Sequence, residues 1–352
     1  MSVSVFEHPW LGGLFAAPEI QQLWSAEAQL AHMIAFERAF TQARVAAGAV
    51  SPEAGEDALA AIDAYQADIP GLREGTAKDG VAVPALVRQL RSGAASGDAI
   101  HTGATSQDVT DTALALTLKA CSAVLLDGLQ ALTGALDTLE AQCGAAEIMG
   151  RTRMQAALPV KAAHRIGIWR APLGGHAKRL QQASAAACRL QLGGPVGDGN
   201  SLGRSAAQTA AHMADTLGLA VPGHCWHADR SALADYSNVL ALITGSLGKM
   251  GQDICLMAQQ GIGEAVLAPG GGSSAMPHKS NPVDAELLVT LAQFNAGQQA
   301  LMQQAMLHEQ ERSGAAWALE WMVLPQMTAA AGRALLTGLK LVRSIRSIGR
   351  QS

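Results

Sequence analysis

The sequence predicts an all-α fold, a bundle of long helices, and three observations lead there. Ala, Leu and Gly dominate, while aromatic residues make up only 4% of the 352. That mixture suits closely packed helices better than sheets, which draw on β-branched and aromatic side chains. Leu114, Leu118, Leu125, Leu129, Leu132, Leu136 and Leu139 recur at threes and fours, the helical spacing. Alternating polar and apolar patterns, the mark of half-buried strands, are almost absent.

Taken in order, residues 18–48 read as a first helix, with Leu23, Leu30, Ile34 and Phe36 at near-helical spacing and Gly48 as a stop. Ser51-Pro52-Glu53 opens the next: a capping serine, proline at the first helical position and an acid in the first turn. Residues 68–100 are shorter pieces broken by Gly71, Gly75, Gly80, Gly93 and Gly97. A small N-terminal helical domain over 1–100 is expected. A long-helix bundle over 101–352 would then carry the oligomer interface. Its helices are expected over 106–141, 159–192 with a kink at Pro172, 204–219, 231–261, 282–308 and 314–348. No fixed repeat period is visible, which favours a bundle over a solenoid. The irregular segments 101–106, 149–156, 222–230 and 265–281 are where chemistry is expected, because loops held by a rigid scaffold carry function.

Composition narrows the function classes. The formal net charge is −4, so no general field attracts nucleic acid. Any anionic ligand must be held by local Arg and Lys. The five cysteines, Cys121, Cys143, Cys188, Cys225 and Cys255, are odd in number, widely spaced and without a CxxC pair. They are expected to be free thiols in a reducing compartment. The N-terminus, with Glu7, His8 and Pro9, lacks the basic-then-apolar pattern of a secretory signal. Lys119 and Asp127 interrupt the best candidate for a membrane span. A cytoplasmic protein is expected. The ten histidines are scattered, and His224 and His227 beside Cys225 have no partners at zinc-site spacing, so no metal is expected.

The segment from Ala268 to Pro282 is the most informative. Gly270-Gly271-Gly272 cannot serve helix packing, where each glycine costs about 1 kcal/mol relative to Ala. Such a run permits positive φ and close backbone approach to a ligand. Ser273, Ser274, Lys279 and Asn281 follow, bracketed by prolines. One reading is an anion-binding loop in which backbone N–H groups, Lys279 and Asn281 hold carboxylates and a serine hydroxyl handles a proton. The other is a solvated connection with capping residues. A phosphate loop is disfavoured, since the GxxxxGK[ST] spacing is missing and no strand precedes it. Upstream, Thr105, Ser106 and Asp108 are plausible N-cap residues of the first long helix, whose N-terminus favours an anion.

Gly272-Ser273-Ser274-Ala275-Met276-Pro277-His278-Lys279-Ser280-Asn281-Pro282 resembles the signature segment of the fumarase/aspartase superfamily. That resemblance implies that Ser273 is the catalytic base and that Ser274, Met276, Lys279 and Asn281 contact substrate. His101-Thr102-Gly103-Ala104-Thr105-Ser106 resembles the first shared region, which implies carboxylate binding by Thr105 and Ser106 and a general-acid or ligand role for His101. Gly150-Arg151-Thr152-Arg153-Met154-Gln155 resembles the second, with Thr152 and Gln155 at substrate-contacting positions. Here the chain departs from the pattern: Arg153 stands where most of these lyases have histidine. Arginine stays protonated and is a poor proton shuttle, but it clamps carboxylates bidentately. A substrate with an additional carboxylate is implied. Arg230 resembles, more loosely, an active-site arginine. Glu309, Glu311 and Arg312 read as a charge run forming a solvated face or an ion pair, with a substrate role for Arg312 as the alternative.

Phe6-Glu7-His8-Pro9 and residues 309–317 resemble most closely the lactonizing, cycloisomerase branch of the superfamily, which acts in protocatechuate breakdown. The resemblance implies that one carboxylate of a tricarboxylate diene adds to its own chain while the adjacent carbon is protonated, giving a γ-lactone. It also implies a homotetramer with shared active sites and no cofactor, and a C-terminal helical domain, present in many lyases, that is truncated here. Two alternatives stay open: β-elimination releasing fumarate, as in adenylosuccinate lyases, and a catalytically silent structural homologue.

Overall fold

The computed structural model describes residues 4–272, 276 and 279–349. Two short helices, α1 (Gly12–Phe15) and α2 (Pro18–Leu23), and the longer α3 (Ala26–Ala46) come first. The single helix expected over 18–48 is therefore two. Ser25 adopts an extended conformation and its Oγ accepts from Ala28 N at 3.1 Å, so it caps a new helix. Trp24 Nε1 donates to Thr328 Oγ1 at 2.8 Å and pins the break against a distant helix. Gly48, at φ 69°, follows the end of α3. Ser51 caps α4 (Pro52–Asp63) through Ala54 N at 3.2 Å. α5 (Ile69–Asp79) and α6 (Val83–Ser92) follow. Ala58, Ile62, Leu86, Leu90, Ala99 and Ile100 form a satellite core beneath them.

α7 (Ser106–Cys143) has 38 residues, about 57 Å at 1.5 Å per residue. Its seven periodic leucines are all buried. Each contributes about 1.5–3 kcal/mol on leaving water, and this stripe sets how the bundle assembles. α7 packs on α3, on α8 (Ala162–Ala187) and on α12 (Gly314–Ser344). Among the described residues it alone is long and apolar enough to cross a membrane by length and composition, and 61% of its most apolar window is buried by the protein. α9 (Ala206–Leu217) lies against α3; α10 (Ser231–Ala258) and α11 (Val283–Gln304) pack on each other and on α12. Glycine in α10 is explained by that contact: a Cβ at Gly251 would sit 2.5 Å from Ala285 O. α8 runs through Pro172.

Two small antiparallel sheets depart from the helical expectation. Residues 147–161 form a hairpin, β1 (Glu147–Thr152) paired with β2 (Gln155–Lys161). No alternation announces it, because both faces of β2 are largely exposed and no apolar side needs burying. Its turn is built from Arg153 (φ 48°) and Met154 (φ 68°), left-handed positions that usually carry Gly or Asn. α8 accordingly begins at Ala162 rather than near Pro159. β3 (Ala265–Leu267) pairs with β4 (Ile345–Ile348), so the last helix ends at Ser344 and the chain returns to the base of the 268–282 loop. Ala268 N donates to Ser344 O at 2.8 Å there.

Candidate active site

The start of α7 is the best-organised polar region. Asp108, in its first turn and fully buried, accepts from Thr105 N at 3.0 Å. It also accepts from Gly193 N at 2.7 Å and Gly194 N at 2.9 Å, and pairs with His227 Nε2 at 2.9 Å. One carboxylate thus ties the 101–106 loop, the 192–205 loop and the segment before α10 together. The 192–205 loop can lie this close because its glycines lack side chains. A Cβ at Gly194 (φ 73°) would sit 2.3 Å from Ser201 Oγ, and that hydroxyl donates to Gly103 O at 2.6 Å. Sequence reasoning missed this loop, although Gly193, Gly194, Gly197, Gly199 and Gly203 put five glycines within eleven residues.

His101 holds a left-handed backbone (φ 64°), and its Nδ1 lies 2.6 Å from Oε1 of Glu37 on α3. Glu37 is fully buried and its Oε2 has no hydrogen-bond partner among the described residues. A carboxylate on Nδ1 places the ring proton there and leaves Nε2 as the nitrogen available for exchange. Glu37 gave no sequence signal, being one acid among helical residues.

Arg230 corrects an expectation. Expected at substrate, it is 2% exposed and saturated inside the chain. It is bonded to Glu320 through Nε at 2.8 Å and Nη2 at 2.6 Å, and to Asp111 through Nη1 at 2.7 Å and Nη2 at 3.0 Å. Burial disfavours its charge, but the two carboxylates outweigh that and hold it firmly protonated. Burial likewise pushes the Glu320 carboxyl up; His308 and Arg230 outweigh it and leave it below the usual range. Arg312 corrects another: rather than facing solvent in a charge run, it donates to Gln107 Oε1 at 2.8 Å and Pro195 O at 3.1 Å. It straps α7 to the 192–205 loop.

The remaining residues lie elsewhere on the chain. Thr152 pairs with Gln155 at the hairpin tip, flanking exposed Arg153. Thr152 and Arg153 line a cleft of about 750 Å³ together with His164, Arg165, Lys249 and Glu264. Glu264 braces the hairpin by accepting from Arg151 Nη1 at 2.8 Å through each carboxylate oxygen and from Met149 N at 3.1 Å. At the other loop, Gly272 bridges to Ser280, Asn281 N donates to Gly271 O at 3.0 Å, and Lys279 and Met276 are exposed. Ser273 and Ser274 lie outside the described residues. Among the described residues, no hydrogen bond of Thr105, Ser106, Thr152, Arg153, Gln155, Lys279 or Asn281 joins one of the three segments to another.

A protein-family model described as "Lyase" matches residues 13–296. The chain belongs to this lyase family, within the fumarase/aspartase superfamily. The lyase is 35% identical over 339 residues to a Pseudomonas aeruginosa protein named 3-carboxy-cis,cis-muconate cycloisomerase, covering 94% of this chain and 74% of that one. It is 37% identical over 325 residues to a Pseudomonas putida protein of the same name, covering 89% and 76%. Among solved structures, a 3-carboxy-cis,cis-muconate lactonizing enzyme from Pseudomonas putida superposes with a TM-score of 0.90 at 32% identity, covering 96% of the lyase and 77% of that chain. This predominantly helical lyase therefore has the fold that the signature segments implied.

Proposed function

We propose that this lyase is a 3-carboxy-cis,cis-muconate cycloisomerase. One carboxylate of the substrate adds to the diene, and the enzyme delivers a proton to the adjacent carbon to close a γ-lactone. The substrate supplies its own nucleophile, so the protein has to orient it, neutralise three carboxylates and move one proton. The observation that carries this reading is Arg153. It stands exposed at a hairpin tip lining the large cleft, with no ion-pair partner among the described residues. A permanent, bidentate cation suits an extra substrate carboxylate and cannot perform histidine's proton transfer. Relatives bearing the cycloisomerase name at 35% and 37% identity support the same reaction class.

In this proposal Ser273 exchanges the carbon-bound proton and His101 assists. Thr105, Ser106, Thr152, Arg153, Gln155, Lys279 and Asn281 bind carboxylates, with Ser274 and Met276 lining the substrate. Arg230 is left out, since its donors are spent on Asp111 and Glu320. The three segments would complete one another across subunits of a homotetramer. Met154 (70% exposed), Leu158 (73%) and Ile168 (46%) line the same cleft, and exposed apolar residues gathered on one face support such a contact. We place the enzyme in the cytoplasm and divide it at about residue 100.

The test is direct. Purified tetramer should deplete the ultraviolet absorbance of the diene in 3-carboxy-cis,cis-muconate with formation of its lactone. Persistence of the diene, or release of fumarate from adenylosuccinate instead, rejects the assignment. A second variant examines the proton machinery. Glu37→Gln keeps the shape but removes the charge behind His101, and kcat is expected to fall about 10–100-fold with KM within about twofold. Unchanged kcat would reduce the His101–Glu37 pair to a packing contact.

A further inference from the structure

We propose that Cys225 is a reactive thiol, set up by a His227–Asp108 relay, that peroxides convert to a sulfenic acid and that thereby shuts down the adjacent loop. The geometry that distinguishes it from the other four cysteines begins at Gln191. Its Oε1 accepts from Trp226 N at 3.1 Å, which fixes the amide orientation, so Nε2 directs its N–H at Cys225 Sγ, 3.0 Å away. The sulfur is held as an acceptor. On its other side is His227, 2% exposed, whose Nδ1 has no hydrogen-bond partner among the described residues; a Cβ built on Gly197 would lie 3.4 Å from that Nδ1 and 3.0 Å from Cys225 Sγ, so the two atoms border the same space. Asp108 receives three backbone amides, so its oxygens act as acceptors and the proton of His227 Nε2 belongs to that 2.9 Å contact. Any proton between Nδ1 and Sγ is then shared by the imidazole and the thiol, the arrangement that generates thiolate.

The electrostatics agree with the geometry. Burial alone would raise the Cys225 thiol, but the His227 and Gln191 contacts outweigh it and the thiol lies below its ordinary value. Burial would lower His227; Asp108 and Cys225 overcome it and raise the imidazole to about 9. Burial pushes Cys121, Cys188 and Cys255 the other way, up. Cys225 is also only half-buried.

The step balances with hydrogen peroxide as the named oxidant. The thiolate sulfur attacks one peroxide oxygen, an S–O bond forms and the O–O bond breaks. Sulfur gives up two electrons, and the departing hydroxide takes the proton shared with His227 and leaves as water. The added oxygen has little room. A Cβ built on Gly193 would lie 2.5 Å from Sγ, and one on Gly197 3.0 Å. Oxidation therefore displaces the loop whose 193 and 194 amides hold Asp108 beneath Thr105. The loss of activity rests on the active-site reading above; the reactivity of the thiol does not.

Full-length protein treated with limiting hydrogen peroxide and then dimedone, followed by peptide mass spectrometry, reads both parts. Cys225 is expected to label at least about tenfold faster than any other cysteine; in a parallel sample given peroxide without dimedone, diene-closing activity should fall at the same rate and return with dithiothreitol. The activity of Cys225→Ser should resist peroxide, and His227→Asn should slow labelling of Cys225. If His227→Asn does not fold, the pH dependence of iodoacetamide labelling of the unmodified protein decides. A midpoint below the ordinary thiol range supports the proposal, and one at or above it overturns it. Labelling of Cys225 no faster than Cys143 also overturns it, and labelling without loss of activity overturns the shutdown. Absence of lactonizing activity with rapid Cys225 labelling would count against the reaction assignment, not against the thiol.

Discussion

Ser273→Ala is expected to lower kcat for lactone formation by about 10²–10⁴-fold, the contribution of a positioned proton-transfer group. A serine hydroxyl is a very weak acid, so its use as a base requires a setting that stabilises the alkoxide. Backbone amides of a glycine-rich loop and the Lys279 ammonium are the groups at hand in the sequence to do so. The substitution leaves the groups proposed to bind carboxylates in place, so KM should change little. The substitution removes one hydroxyl and no apolar or charged group, so the far-ultraviolet circular dichroism should be that of the parent. A variant that keeps more than about a third of the parent kcat would remove Ser273 from the mechanism. If the parent is itself silent toward the diene and the variant changes nothing, a structural homologue is what remains.

Arg230→Ala should produce the largest loss of stability, about 3–5 kcal/mol, because it leaves two buried carboxylates without their cation. Asp111 and Glu320 are both fully buried, and Arg230 supplies two bonds to each. The pH dependence has a defined sign. The Glu320 carboxyl is depressed in the folded state, so its contribution is present above its unfolded value and is lost as pH falls through the folded one. In the variant the orphaned carboxylates can take up protons, which relieves the buried charge. The gap between parent and variant urea midpoints should therefore be widest near neutrality and shrink toward pH 4. A gap below about 1 kcal/mol at pH 7.5 would mean that water reaches these carboxylates. A gap that grows on acidification would reverse the electrostatic account.

Local chemistry made much of the scaffold legible. The leucine spacing of α7, the Ser51 cap and the Gly48 stop act through neighbours three or four residues apart, so a linear reading finds them. The 147–161 hairpin escaped because both faces of its second strand meet solvent and its turn carries Arg153 and Met154 rather than glycine. The break at Trp24 escaped because its anchor, Thr328, lies 304 positions away. Within the candidate site, Ser273, Lys279, Asn281, Thr105 and Ser106 stood out through composition and resemblance, while Asp108's true load, Glu37 behind His101 and the 192–205 loop did not.

By itself, then, the sequence determined helix, period and the segments able to hold an anion, since each depends on residues adjacent in the chain. Only the tertiary structure decided which charges are spent internally. Arg153 and Arg230 read alike as substrate-binding cations. Folding buries Arg230 between carboxylates from α7 and α12, 119 and 90 residues away, and leaves Arg153 at a tip without one. That difference arises from packing, because the cost of burying a charge is met by partners that only the assembled bundle brings within 3 Å.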